Sequence, residues 1–322
     1  MVQVNKKPKI VVILGQTASG KSDLAVQIAR RFNGEVISAD SRQVYKGMDI
    51  GTGKIRRDKS KFKTQNYFYK RMRHHLLDVA SPKRIFSVAQ YQYLAKKAIQ
   101  DILSRKKLPI ICGGTGLYID AVIDNVIFPK VPPHPRLRQK LEKLSTKELF
   151  QKLKKLDPNR ARNIDQNNRR RLVRALEIVM VSKKPVPPIQ KQRNYEVLKI
   201  GIRRPAEELK MLIKNRLLKR FRQGMINEVK KLHQQGVGWQ RLFDFGLEYR
   251  WISLYLRGLI AKEEMIKKLN TEINHYAKRQ LTWFFGRGES VKTGKKCPGE
   301  KIHWISDFKQ AKKLVKNFLK NE

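Results

Sequence analysis

The octapeptide Gly15-Gln16-Thr17-Ala18-Ser19-Gly20-Lys21-Ser22 constrains this chain more than any other stretch. It follows the apolar run Ile10 to Leu14 and opens a helical pattern from Ser22 to Phe32. A GxxxxGK[ST] loop in that setting ends a buried strand, starts a helix and cradles phosphate, which commits the N-terminal region to an α/β sheet. Its glycines let backbone N–H groups close around phosphate oxygens, and the helix N-terminus adds partial positive charge. Lys21 is placed to reach the outer phosphates, and Ser22 is the expected Mg²⁺ ligand.

Periodicity extends the sheet. Glu35 to Ala39 and Leu108 to Cys112 read as strands, and Ser87 to Ser104 as a helix with Val88, Tyr91, Leu94, Ala95, Ala98 and Ile102 on one face. Strands alternating with helices mark a parallel sheet. From Phe128 the character changes: Pro129, Pro132, Pro133 and Pro135 end the alternation, Leu137 to Met180 is charged and helical, and Pro185, Pro187 and Pro188 close it. The expected fold is therefore α/β, a P-loop NTPase-like parallel sheet core with a mostly helical insertion domain. The core takes residues 1–123 and 199–322, the insertion 124–198. Val197 to Ile202 should return to the sheet, with helices near 206–223, 224–235 and 262–285, a last strand at Ile302 to Ile305 and a final helix from Phe308 to Leu319.

Charge narrows the partner. Lys and Arg number 72 against 27 acids, a formal charge of +45 spread along all 322 residues, and such a field attracts polyanions. Nucleic acid is the first partner to consider, beside the plainer reading of a solvated basic surface. At 40% apolar content the chain can fill a core, yet no run approaches the length of a membrane span or a signal peptide. A cytoplasmic protein without membrane contact is expected. Cys112 and Cys297 alone build neither a disulfide framework nor a four-cysteine zinc site, and Cys112 reads as packing.

Three further constellations bear on what the phosphate loop serves. Asp40 opens the polar segment after the second strand, Asp40-Ser41-Arg42-Gln43-Val44-Tyr45-Lys46-Gly47-Met48-Asp49-Ile50-Gly51-Thr52-Gly53-Lys54. A carboxylate there stands at the strand's carboxyl end, where open α/β sheets bind ligands, and is placed to act as a base or to orient a metal-bound water. A lone aspartate in a polar loop more often serves as an Asx-turn or a helix N-cap. Cys112-Gly113-Gly114-Thr115-Gly116-Leu117-Tyr118 is a second strand-to-glycine junction. Arg216 and Arg220 share one helical face.

Together these segments resemble the tRNA dimethylallyltransferase (tRNA isopentenyltransferase) family. The phosphate loop is similar to that family's GPTASGK[ST], the segment from Asp40 to its DSxQVYxGMDIGTxK, and Gly113 to Tyr118 to its GGTGLY. Further matches are His74 to Val79, Phe86 to Ala89, Ile164 to Arg171 followed by Arg174-Ala175-Leu176-Glu177, Arg216 to Val229, and Tyr276 to Phe284. The resemblance covers residues 9–285. Gln16 stands where the family usually has Pro, and Leu242 to Arg250 replaces an ALGYKE-like segment, which puts a local RNA contact in question. No Cys/His set for the C-terminal zinc finger of eukaryotic members is present, and the tail around 292–301 reads as a mobile basic loop.

The resemblance implies transfer of the dimethylallyl group of dimethylallyl pyrophosphate to N6 of adenosine 37, just 3′ of the anticodon. Mg²⁺ would serve as cofactor, and the enzyme is expected as a monomer. It implies that Arg216 helps hold the pyrophosphate, that the Thr17 hydroxyl lies beside the bridging oxygen, and that Asp40 takes the proton of the attacking amine. Asp40, Ser41, Arg42, Gln43 and Thr115 would lie at the target base, while Asn167, Asn168, Arg169, Arg170 and Arg171, with Arg174, would grip the anticodon stem-loop. The basic and aromatic stretch Lys54 to Arg73 is another candidate RNA face. A small-molecule kinase or a prenyltransferase acting on free adenine nucleotide would share the loop, but neither needs this charge. A non-catalytic RNA binder would not need Lys21, Ser22, Asp40 and Arg216 together.

Overall fold

The computed structural model of the chain describes residues 7–58, 66–285 and 302–320. Among these, seven strands form one sheet: β1 (Lys9–Gly15), β2 (Gly34–Ala39), β3 (Tyr67–Tyr69), β4 (Met72–His75), β5 (Leu108–Gly113), β6 (Glu196–Ile202) and β7 (Ile302–Ile305). Their order is β3-β4-β2-β5-β1-β6-β7, and every neighbouring pair is parallel except β3 and β4. β1 lies between β5 and β6, in register at Val11↔Ile110 and Val11↔Leu198. Ile10, Val12 and Leu14 enter one core and Val11 and Ile13 the other, so a strand covered on both faces needs the unbroken apolar run that the sequence shows.

The two faces are clothed by different helices. Leu24, Ala25, Ile28 and Ala29 of helix Lys21–Arg31 pack with Val11 and Ile13, whereas Tyr118, Ile119, Val122 and Ile123 of helix Gly116–Ile123 pack with Ile10 and Val12. The chain therefore leaves neighbouring strands β1 and β5 towards opposite faces, which opens a crevice at the carboxyl edge of the sheet. Helix Val88–Ser104 starts one residue later than the periodicity predicts because Ser87 is its cap. The Ser87 hydroxyl accepts the Gln90 N–H at 3.2 Å, and Gln90 Oε1 accepts the Ser87 N–H at 2.9 Å.

Two features escape the sequence reading. β3 and β4 form a hairpin at the sheet edge, turned by Lys70 and Arg71, both left-handed at φ 49° and 62°. Asp58 accepts both of their N–H groups, at 3.0 and 2.8 Å, which offsets the cost of that backbone without glycine. Tyr67 is buried here, so part of the candidate RNA face at 54–73 is core instead. Short helices Trp239–Phe245 and Leu247–Leu256, broken by Gly246 at φ 75°, are also new.

The chain divides into two compact units, residues 1–124 with 193–322, and residues 125–192. Asp124 and residues 193–198, expected in the insertion, lie with the sheet unit, and β6 starts at Glu196, opposite Lys9. The smaller unit holds helices Pro135–Leu141, Thr146–Leu156, Pro158–Arg162 and Arg169–Ser182 around Leu141, Leu149, Leu153, Leu172 and Leu176. Glu177 is fully buried there, and burial alone would raise its pKa. Hydrogen bonds from Arg138, the His134 N–H and Arg174 outweigh that effect and hold it at about 2. The segment 292–301 lies outside the described residues. No described helix is long and apolar enough to cross a membrane.

Candidate active site

The loop after β1 is set by backbone constraints before any side chain acts. A Cβ on Gly15 would stand 2.7 Å from the Ile202 carbonyl oxygen, and Ala18 and Gly20 are left-handed at φ 63° and 95°. Helix Lys21–Arg31 then begins with no side-chain cap, so its first-turn N–H groups stay open to an anion. Lys21 folds its ammonium onto the Gln16 carbonyl. Burial pushes its pKa down to about 8, and the Arg216 guanidinium adds to the shift. A cation destabilised in this way gains from the arrival of a polyanion.

Arg216, on helix Ala206–Arg222, donates to the Thr17 hydroxyl at 3.4 Å and to the Gly53 carbonyl at 3.1 Å. Burial first, then the like charge of Arg220, brings it down to about 10. Arg220 does something else, pairing with buried Glu248 at 2.7 Å and donating to the Gly51 carbonyl at 3.2 Å. A Cβ on Gly53 would lie 2.0 Å from Arg216 Nη2 and 2.1 Å from Arg220 Nη2, which explains a glycine between Thr52 and Lys54.

Three charged residues that sequence reasoning did not place in this wall hold it. The Glu228 carboxylate accepts the N–H groups of Asp49, Ile50 and Gly51 at 2.9, 2.6 and 3.0 Å and the Tyr249 hydroxyl at 2.8 Å. Lys54 is buried between Asp49 and Asp78 and donates to the Tyr45 carbonyl at 2.9 Å. Glu248 is the third. The segment 242–250 thus supplies partners of Arg220 and Glu228, a scaffolding role.

Asp40 follows β2 directly. Its Oδ1 accepts the Arg42 and Gln43 N–H groups at 2.8 and 3.3 Å, an Asx-turn, while Oδ2 meets no donor among the described residues. The turn orients the carboxylate and leaves one oxygen open to a substrate. Thr115 Oγ1 accepts the Ser41 N–H at 3.0 Å, joining this turn to the loop after β5. Arg42 turns towards Phe245, donating to its carbonyl at 2.8 Å, and Gln43 donates to the Thr52 carbonyl at 3.4 Å. Beside Ser41 and Thr115 opens a cavity of about 450 Å³, walled by Leu117, Tyr276, Arg279, Gln280 and Trp283.

A smaller cavity of about 270 Å³ surrounds Glu35, at the amino end of β2 and so away from these loops. Glu35, His75 and Asp101 are the one His/Cys/Asp/Glu group among the described residues spaced to hold a metal ion. Arg105 and Lys107 already neutralise Glu35 there. Burial would raise the Glu35 pKa, but hydrogen bonds from Arg105, Lys107 and His75 hold it well below the carboxylate range. Cys112 is buried, and burial pushes its thiol up to about 12, as inert packing requires.

In the smaller unit the candidate RNA residues divide. Asn168 caps helix Arg169–Ser182 by accepting the Arg171 N–H at 3.2 Å, and Arg169 donates to the Glu142 carbonyl. Arg174 is tied to Glu177 and to the Val131 carbonyl. Asn167, Arg170 and Arg171 are exposed. Neither arginine has an ion-pair partner among the described residues.

Comparison with known proteins agrees with this geometry. The sequence model of the family described as IPP transferase matches residues 43–288. A protein of Trichlorobacter lovleyi named tRNA dimethylallyltransferase 2 is 41% identical, over 92% of this chain and 91% of its own length. One of Anoxybacillus flavithermus named tRNA dimethylallyltransferase is 42% identical, over 86% and 87%. The crystal structure of the full-length tRNA isopentenylpyrophosphate transferase from Bacillus halodurans superposes with a TM-score of 0.66 at 35% identity, covering 97% of this chain and 96% of that one. With three quarters of its length under one family model and relatives aligned nearly end to end, this chain is a member of the IPP transferase family.

Proposed function

We propose that this protein transfers the dimethylallyl group from dimethylallyl pyrophosphate to N6 of adenosine 37 in tRNA, releasing pyrophosphate. The observation that carries the reading is the pair of depressed cations that meet the phosphate loop, Lys21 at the Gln16 carbonyl and Arg216 reaching the Thr17 hydroxyl from helix Ala206–Arg222. A site of this kind stabilises charge that grows on a departing pyrophosphate. In the reaction the allylic C–O bond breaks with its electron pair leaving on pyrophosphate, and the N6–C bond forms. The N6 proton passes to Asp40. An aminopurine N–H is too weak an acid to lose that proton beforehand, so it leaves during or after attack. The allylic carbon carries positive charge as the C–O bond loosens, which lowers the demand on the nucleophile. Positioning and leaving-group stabilisation supply most of the acceleration.

Reaching N6 requires the base to leave the anticodon-loop stack, as single-stranded loops permit. Asp40, Ser41 and Thr115 suit the acceptor side, and exposed Arg170 and Arg171 suit phosphate contacts. Ser22, exposed in the first helical turn, is the residue that would hold an Mg²⁺ ion beside the pyrophosphate. When bound, that ion neutralises leaving-group charge. The test is mass spectrometry of nucleosides from tRNA incubated with the protein, Mg²⁺ and dimethylallyl pyrophosphate. Dimethylallyladenosine should appear with adenosine at position 37 and vanish with guanosine there. Prenylated AMP without prenylated tRNA would refute the assignment.

A further inference from the structure

Gln280 lies near the middle of the site, 5% exposed, and both ends of its carboxamide are engaged. Oε1 accepts the Thr17 N–H at 2.7 Å, and Nε2 donates to the Gly114 carbonyl at 3.0 Å. One turn earlier, Gln16 Nε2 donates to the Ala277 carbonyl at 3.2 Å, so loop and helix Lys262–Phe284 clasp each other reciprocally. Two glycines of the second loop leave room for this helix. A Cβ on Gly114 would stand 2.0 Å from Gln280 Nε2, and one on Gly116 would stand 2.1 Å from Trp283 Cδ1. Trp283 in turn donates to Asp120 at 2.9 Å.

The clasp has a chemical oddity. It turns a phosphate-loop N–H, that of Thr17, towards a side chain, where an anion cradle would direct it at phosphate oxygen. Such a donor is worth more to a loop that must hold one geometry than to one that must bind as tightly as it can.

Taking the transfer reading as its base, the geometry points to Gln280 as a positioning residue that sets the spacing between electrophile and base. On one side it fixes Thr17, whose hydroxyl Arg216 also holds. On the other it fixes Gly114, next to Thr115, which bonds the Ser41 N–H beside Asp40. The leaving-group loop and the acceptor turn are thereby tied through one buried carboxamide.

Gln280→Met keeps length and shape and removes both hydrogen bonds. Its kcat should fall about 100-fold, the scale of an ångström of misalignment. The KM for dimethylallyl pyrophosphate should stay level or drop, because the Thr17 N–H becomes available to the pyrophosphate. Gly114→Ala, which displaces the carboxamide, should give the same split, and adding it to Gln280→Ala should change kcat no further. Melting curves accompany each variant, and should Gln280→Met not fold, Gly114→Ala and the Gln280→Ala pair carry the test. Parental kcat in Gln280→Met, a KM that climbs in step with the fall in kcat, or additive losses in the double variant would overturn the assignment. Parental turnover of tRNA, run alongside, tests the transfer reading separately.

Discussion

Arg216 and Arg220 stand one turn apart on the same helix, and the structure separates their roles sharply enough to measure. Arg216 donates to a hydroxyl and a carbonyl, has no carboxylate partner among the described residues, and is depressed by burial and by Arg220. A cation so placed adds little to the fold. Replacing it with methionine removes one charged donor from the leaving group, a loss of about 100- to 1,000-fold in kcat, or about 2.7–4 kcal/mol by analogy with other preorganised donors. The melting temperature should hold or rise, since a repulsion disappears. Arg220→Met should do the reverse. It strands Glu248, whose pKa burial already raises, at a cost of about 3–5 kcal/mol typical of a broken buried pair. Single-turnover transfer with tRNA in excess, read beside thermal melts, decides the matter. An Arg216→Met enzyme with intact kcat, or one that loses activity only in proportion to its melting temperature, would refute the division.

Other outcomes follow from the same geometry. Asp40→Asn keeps an oxygen for the Asx-turn but loses the proposed base, so tRNA should bind in a filter assay with parental affinity while prenylation collapses. Lys21 sits at about 8 before an anion arrives, and a neighbouring pyrophosphate favours its charged form. Affinity for pyrophosphate should therefore fall as pH rises through 8, with proton uptake visible by calorimetry in buffers of different ionisation enthalpy and absent in Lys21→Met. Glu177 lies at about 2 against an ordinary 4.5, so its stabilising effect is complete above 4.5 and is lost as pH falls towards 2. Glu177→Gln should lower stability at neutral pH and flatten the acid limb of a denaturation profile.

What was legible in the sequence was local. The run Ile10 to Leu14 with its loop, and the apolar face of 88–104, repeat at the period of the element they form, and such patterns survive without tertiary information. The β3–β4 hairpin did not show because its strands are three and four residues long and its turn depends on Asp58, twelve residues before Lys70. Asn168 and Arg174 carry the residue types of RNA contacts, and the structure adds a capping bond for one and a bond to buried Glu177 for the other, which the sequence did not show. Gln280 meets Thr17 across 263 positions, and Glu228 meets Gly51 across 177. Neither pairing leaves a trace in local composition, although Gln280 lies inside the recognised segment 276–284.

In the proposed reaction an allylic pyrophosphate occupies the cleft as electrophile, with Asp40 facing its carbon end. The most direct measurement is a crystal structure with an unreactive sulfur analogue of dimethylallyl pyrophosphate. The pyrophosphate should lie on the first-turn amides with Lys21 and Arg216 in contact, and the allylic carbon should face the free oxygen of Asp40. An analogue absent from the loop at saturating concentration, or bound with its hydrocarbon directed away from Asp40, would contradict the account.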